Sequence, residues 1–240
     1  MSANGFVLIT GGARRIGRSL ALAAARAGHD VVVHYNQSPN EAESLGVEIE
    51  ALGRKAILLR ADLADPTQVS TLIPRIHEHG SLYGLVNNAS VLTALDWDSS
   101  RLEDWNQTFM VNLMVPFLLS QAFARALPLG EKGRIINLLD WHALRPGPDR
   151  LPYIISKSAL AALTQSLAIA LAPRITVNGL ALGAILPPAD GKKDPRILEN
   201  VPAGRWASLE EVGQALIFLL DGPDYITGEI LHIDGGRHLL

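Results

Sequence analysis

Tyr153 and Lys157 are the residues of this chain best suited to move a proton. They stand four apart at the start of a segment with helical patterning. Four residues advance a helix by about one turn, ~6 Å, so both side chains leave the same face. A free tyrosine has a pKa near ~10 and is a poor base at neutral pH. A neighbouring ammonium favours the phenolate and eases proton exchange. Alone, Tyr-x-x-x-Lys also describes an ordinary helix surface contact. Here it follows a strand and a loop, the place where an α/β sheet presents its substrate.

A second group of residues can hold phosphate. Residues 10–17 read TGGARRIG, between a strand-like burst and a helical pattern. Glycines let the backbone turn tightly and approach a pyrophosphate, and a helix N-terminus adds free N–H groups and partial positive charge. Strand-to-helix turns are also glycine-rich for steric reasons, so the next strand is needed to strengthen the reading. A chain that grips NAD through its ribose usually carries Asp or Glu near the end of the second strand. Residues 34–38 read HYNQS, without an acid, and Arg14 and Arg15 stand in the preceding turn. Cationic and hydroxyl donors suit the extra 2′-phosphate of NADP. Gly11, Arg14, Arg15, Ile16, Gly17, His34, Tyr35, Asn36 and Ser38 are therefore the expected cofactor contacts of this half. Asp62 and Leu63 follow the third strand, where a carboxylate can accept from an adenine amino group. Asn88, Ala89 and Ser90 close the fourth, where amides can hold ribose and strand ends. Asp and Asn favour turns in any case; their order and their strand-end placement carry the argument.

The elements that must position these residues alternate. Strand-length apolar bursts fall at 6–9, 31–35, 56–59, 82–87, 134–138, 175–180 and 229–233. Helical patterns fall at 15–27, 40–52, 66–78, 102–127, 153–171 and 209–220. The strands are near-continuous apolar runs, the mark of parallel strands buried on both faces. The expectation is an α/β, doubly wound parallel sheet of Rossmann type, as a single domain over 1–240, with helices on both faces. Residues 183–205, rich in proline, break the rhythm. They read as a substrate lid or as an ordinary surface loop with a short helix.

Composition narrows the classes. The chain has 240 residues, no cysteine and a net charge of −3. No disulfide framework, thiolate metal site or cysteine nucleophile is available, and no resident metal is expected. No basic stretch suggests nucleic acid. The apolar runs are interrupted before a membrane-spanning length, and no basic region precedes the first of them. A cytoplasmic protein acting on a small molecule is the expectation.

In order, the 10–17 turn, Asp62, Asn87-Asn88-Ala89, Asn112, Tyr153 with Lys157, Asn178 and ITGEILHIDGG at 226–236 resemble the short-chain dehydrogenase/reductase family over essentially the whole chain. The resemblance implies that Tyr153 donates the proton. Lys157 would hold the nicotinamide ribose and lower the tyrosine pKa, and Asn112 would anchor a water chain to that lysine. The nicotinamide would lie near the backbone of Gly183 to Ile185, where Leu182-Gly183 replaces the family's usual Pro-Gly. It also implies a homotetramer, built partly by the helix carrying Leu160, Ala161, Leu163 and Ala168, with the C-terminal Leu239 and Leu240 reaching a neighbour.

The family usually places a serine about thirteen residues before the tyrosine, to hold a substrate carbonyl. Here that position is Asp140, and no Ser or Thr occurs from 133 to 152. An ionised carboxylate only accepts hydrogen bonds, so it suits a substrate that presents donors. A salt-bridged structural role is the alternative. Arg15 in the turn, HYNQS, Ser90 and Asp140 together resemble the pteridine reductase subgroup, and the DGGRHLL end is similar to that of dihydromonapterin reductases. The implied reaction is NADPH-dependent reduction of a pterin C=N bond. Ser90, Leu92, Asp140 and Trp141 are the expected substrate contacts. Leu92 stands where the subgroup has a stacking aromatic, and Trp97 or Trp141 is the candidate replacement. An NADPH-dependent carbonyl reductase is the competing reading. A non-catalytic NADP-binding redox sensor is the third, disfavoured because both Tyr153 and Lys157 are retained.

Overall fold

The computed structural model describes residues 5–186 and 196–240. The middle of the expected lid, 187–195, lies outside the described residues. Seven strands form one parallel sheet in the order β3-β2-β1-β4-β5-β6-β7. They are β1 (Phe6–Ile9), β2 (Asp30–Tyr35), β3 (Ala56–Arg60), β4 (Leu82–Asn87), β5 (Gly133–Asp140), β6 (Ile175–Leu182) and β7 (Ile230–Ile233). The expected α/β doubly wound architecture is what forms.

The helices are α1 (Arg15–Arg26), α2 (Pro39–Ala51), α3 (Pro66–His77), α4 (Leu102–Phe109), α5 (Val115–Ala126), α6 (Leu151–Leu171), α7 (Arg196–Glu199) and α8 (Leu209–Asp221). Alternate residues of each strand feed the two faces. Val7 and Ile9 point into a core shared with Leu20 and Ala24 of α1, Leu45 of α2 and Leu216 of α8. Phe6 and Leu8 point into the opposite core, with Leu72 of α3 and Leu119 and Phe123 of α5. Each fully buried side chain of this kind contributes ~1.5–3 kcal/mol relative to exposure.

Local chemistry fixes the helix ends. Asp65 caps α3 by accepting from the Thr67 N–H at 2.8 Å, just ahead of Pro66. Ser208 and Glu211 form a reciprocal capping box at α8. The N-terminus of α1 is different: Arg14 makes no side-chain cap and the first turn holds no acid.

Four expectations change. The fifth and sixth strands run longer than their apolar bursts, so Asp140 closes β5 instead of lying in a loop. The region 102–127 is not one regular helix, because a π-turn at Met110–Met114 separates α4 from α5. By length and composition, Leu102–Ala126 and Leu151–Leu171 do reach a membrane-spanning size. Both pack within this fold, α6 against β5 and β6 and α5 against α3 and β4. Leu160, Ala161 and Ala168 are buried within the chain and Leu163 packs partly against the core, so they are not free interface surface. A helix lying between the sheet and α4 needs apolar residues on more than one side. The exposed large hydrophobic residues of α6 are Ile155 and Ile169.

Candidate active site

β1 has β2 on one side and β4 on the other, so the direction of winding reverses between β1 and β4. Open α/β sheets bind ligands in the crevice at that point, outside the carboxyl ends of the strands. A cavity of about 460 Å³ opens there. Its walls include Gly11, Arg14, Arg15, Ile16, Gly17, His34, Asn36, Asp62, Leu63, Asn88, Ala89 and Ser90. Of the expected cofactor contacts, Tyr35, Ser38, Tyr153, Lys157, Gly183 and Ile185 do not line it. Ala64, Val91, Gln107 and Val111 do, and nothing in their residue types singles them out in the sequence.

The cradle depends on absent side chains. Gly11 has φ +60, and a Cβ on Gly17 would sit 2.1 Å from the Gly11 carbonyl oxygen and 2.8 Å from Asn88 Nδ2. Arg15 stands where the family has glycine and itself adopts φ 51. The Asn88 amide ties the end of β4 to this turn, donating to the carbonyls of Thr10 (2.8 Å) and Gly11 (3.2 Å). The Thr10 hydroxyl accepts from the Asn88 and Ala89 N–H groups, both at 3.0 Å. An uncapped helix end, a glycine cradle and two arginines fit a dinucleotide diphosphate. No acid stands at the end of β2. Arg14 Nη1 donates to Ser38 Oγ at 3.4 Å, although Glu41 lies 3.7 Å from the same nitrogen. Asp62 uses Oδ1 to accept from the Ala64 N–H at 2.9 Å.

His34 supports the cradle from beneath. Its Nδ1 accepts from the Gly11 N–H at 3.0 Å and its Nε2 donates to the Ala61 carbonyl at 3.1 Å. This pattern requires the neutral ring, and burial pushes its pKa down from 6.5 to about 4. Between those values the unfolded chain binds a proton that the folded chain refuses. Stability therefore falls as pH falls from about 6.5 toward 4, by up to ~3 kcal/mol from this group. His34→Asn keeps one acceptor and one donor but cannot titrate. Urea unfolding between pH 7.5 and 4.5 is expected to show a shallower acid loss in this variant. Parallel pH profiles would refute the assignment.

The second centre lies across the sheet. The Tyr153 hydroxyl donates to Asp140 Oδ2 at 3.1 Å. Asp140 Oδ1 accepts from His142 twice, from the backbone N–H and from Nδ1, each at 2.9 Å. Burial alone would raise the Asp140 carboxyl, but these bonds, with the nearby Arg150 charge, hold it below the usual range. Burial, then the Asp140 charge and hydrogen bond, push Tyr153 well above its ordinary value. This corrects the expectation that Lys157 lowers it. Lys157 is buried, its Nζ 5.9 Å from the tyrosine ring centroid, and donates to the Leu138 carbonyl at 2.7 Å. Burial brings the ammonium down to about 8, against the pull of Asp140. At neutral pH the arrangement is a protonated tyrosine on an ionised carboxylate.

Asn112 sits in the π-turn, fully buried. Its Oδ1 accepts from the Val91 N–H (2.8 Å) and the Ser90 hydroxyl (3.2 Å). Its Nδ2 donates to the Val91 carbonyl and Ser156 Oγ, both at 3.0 Å. The Ser156 hydroxyl in turn donates to the Tyr153 carbonyl at 2.6 Å. The side chain thus joins the loop after β4 to α6, the helix that carries Tyr153 and Lys157. A second buried relay went unread: Asn87 Nδ2 donates to Asn137 Oδ1 (2.8 Å), and Asn137 Nδ2 to Thr164 Oγ1 (2.9 Å). The only signal for it was an asparagine inside an apolar strand.

The substrate contacts divide. Leu92 is exposed, and Trp97 is 79% exposed, so Trp97 supplies no buried ring. Trp141 is half-buried beside Asp140, its ring 3.7 Å from that of His142. Gly183 departs from the usual Pro-Gly yet keeps its need for glycine, because a Cβ there would meet Asp234 Cα at 2.6 Å.

Residues 11–238 match the family model described as enoyl-(acyl carrier protein) reductase. The chain belongs to the short-chain dehydrogenase/reductase family of oxidoreductases. It is 34% identical over 234 residues to 3-oxoacyl-[acyl-carrier-protein] reductase of Synechocystis, covering 95% of each chain. Among solved structures, it is similar to FolM alternative dihydrofolate reductase 1 from Brucella canis, complexed with NADP. That similarity has a TM-score of 0.93 and 35% identity, covering 100% of this chain and 96% of the other. A short-chain dehydrogenase from Burkholderia cenocepacia in complex with NADP gives a TM-score of 0.91 at 37% identity, covering 98% of each.

Proposed function

We propose that this chain is an NADPH-dependent reductase of a C=N bond in a dihydropterin-like ring. The observation that carries the reading is the Tyr153–Asp140 hydrogen bond, at the position where the family usually has a serine hydroxyl. Gly11, Arg14, Arg15, Ile16 and Gly17 would hold the diphosphate and 2′-phosphate, Asn36 and Ser38 would flank the latter, and Asp62 and Leu63 would meet the adenine. Asn88 to Ser90, Tyr153, Lys157, Gly183 and Ile185 would face the nicotinamide half. The NADP complexes of the Brucella and Burkholderia proteins support that choice. When bound, NADPH supplies the hydride. Tyr153 holds the proton on its phenolic oxygen and gives it to the ring nitrogen, with Lys157 countering the charge left behind. Asp140 Oδ2 keeps a lone pair for the ring-edge N–H donors of a pterin, a role that a keto oxygen cannot use.

The Brucella canis relative is described as a dihydrofolate reductase, which agrees with a pterin ring. The second reading, reduction of a ketoacyl carbonyl, draws on the 3-oxoacyl relatives. The same resemblance makes a cytoplasmic homotetramer the proposed state, with exposed Ile169 and Phe218 as apolar surface for it. Steady-state NADPH oxidation with dihydrobiopterin, dihydromonapterin, dihydrofolate, a ketoacyl thioester and a keto sugar tests the substrate. Turnover is expected with the pterins, and turnover confined to the carbonyl compounds would overturn the reading.

A further inference from the structure

Two guanidiniums stand beside the Tyr153–Asp140 pair with no hydrogen-bond or ion-pair partner among the described residues. Arg237 opens the short C-terminal turn Arg237–Leu239, which packs on the turn Trp141–Leu144 that follows Asp140. Arg145 Nη1 fastens the two by donating to the His238 carbonyl at 3.3 Å. The Arg237 guanidinium lies 4.4 Å over the Trp141 ring, and its Nε is buried without a partner. A buried donor of this kind costs free energy until something accepts from it. Stacking on an indole also fixes the plane of the guanidinium, so its edge donors are aimed rather than free to wander.

Arg150 is the second. It caps α6 three residues before Tyr153 with φ 54 and ψ 45, a conformation disfavoured for a side chain with a Cβ. No side-chain cap bond offsets that strain. Its charge acts on Asp140, on Tyr153 and on Arg237. The nearby Asp234 is already engaged, accepting from the Gly236 N–H and from both the N–H and Nδ1 of His238. Asp140 is likewise engaged by Tyr153 and His142. Among the described residues neither carboxylate forms an ion pair with Arg150 or Arg237, although the charges of both act on Arg237.

We infer that Arg237, seated on Trp141, and Arg150 form a subsite for a carboxylate carried by the substrate, at the mouth of the site beside Asp140. This assigns Trp141 the task of a platform for the arginine, in place of a stacking surface for the substrate ring. It rests on the reading that Tyr153 and Asp140 are the reaction centre. A planar carboxylate can take two parallel N–H bonds from one guanidinium, which orients the ring as well as holding it.

The test uses two matched pairs in NADPH-oxidation assays: 7,8-dihydropterin-6-carboxylate against its neutral 6-methyl counterpart, and levulinate against its methyl ester. For whichever pair turns over, the carboxylate is expected to have a KM lower than its neutral partner by at least about tenfold, the scale of a charge-assisted bond. Arg237→Gln should collapse that KM ratio toward one, and Arg237→Lys should restore part of it. A ratio within twofold of one in the wild type, or unchanged in Arg237→Gln, would overturn the subsite. Turnover of the levulinate pair alone would defeat the dihydropterin reading while that pair still judged the arginines. Turnover of neither pair would defeat both.

Discussion

Tyr153→Phe is expected to lower kcat by roughly 10²–10⁴-fold, the range of general acid–base catalysis, while NADPH still binds. The substitution removes one oxygen. Among the described residues, that oxygen is the donor that α6 supplies to the Asp140 carboxylate. Burial and Asp140 both keep Tyr153 protonated, so the loss is of a proton source and not of a standing phenolate. Phenylalanine fills the same space, and the helix is held independently through Ser156, Asn112 and the Lys157 bond to β5. Circular dichroism and NADPH fluorescence titration should match the wild type. A variant retaining more than a tenth of kcat would place the proton source elsewhere.

Gly17→Ala is expected to weaken NADPH binding by roughly 10–100-fold, because forcing a methyl into a filled space costs ~1–3 kcal/mol. The added Cβ would lie 2.1 Å from the Gly11 carbonyl oxygen and 2.8 Å from Asn88 Nδ2. The first neighbour is backbone and cannot swing aside. The turn must open, and with it the Gly11 N–H contact to His34 and the Asn88 bonds to Thr10 and Gly11. Calorimetric titration with NADPH reads the loss. Affinity within twofold of the wild type would mean that the ligand does not depend on this cradle.

Much of this was legible in residue order, and the reasons for the gaps are specific. The buried parallel strands announce themselves as apolar runs, and β1, β4 and the helix starts at Arg15, Pro66 and Leu209 fall where the pattern puts them. The cofactor turn was legible only with the acid-free HYNQS end of the second strand beside it, because glycines in a strand-to-helix turn also have steric reasons. β5 was read as ending at Leu138; only the pairing of Leu139 and Asp140 with Ala181 and Leu182 of β6 carries the strand further. The Tyr153–Asp140 bond joins a strand to a helix, so no periodicity encodes it. Its upward push on the tyrosine, added to that of burial, was unread for the same reason. Lys157 was expected to dominate, but it points to the Leu138 carbonyl. Leu160, Ala161 and Ala168 read as surplus apolar surface because sequence does not show α6 lying between the sheet and α4.

The central claim is that Asp140, in place of a hydroxyl, turns this family's tyrosine toward a ring bearing nitrogen donors. The most direct measurement is the ratio of kcat/KM for dihydrobiopterin to that for a ketoacyl thioester, taken on the wild type and on Asp140→Ser with saturating NADPH. The wild type is expected to favour the pterin by at least about tenfold, roughly the worth of one charge-assisted bond, and Asp140→Ser is expected to reverse the preference. A wild type that reduces only the thioester, and does so faster once serine replaces Asp140, would contradict the account.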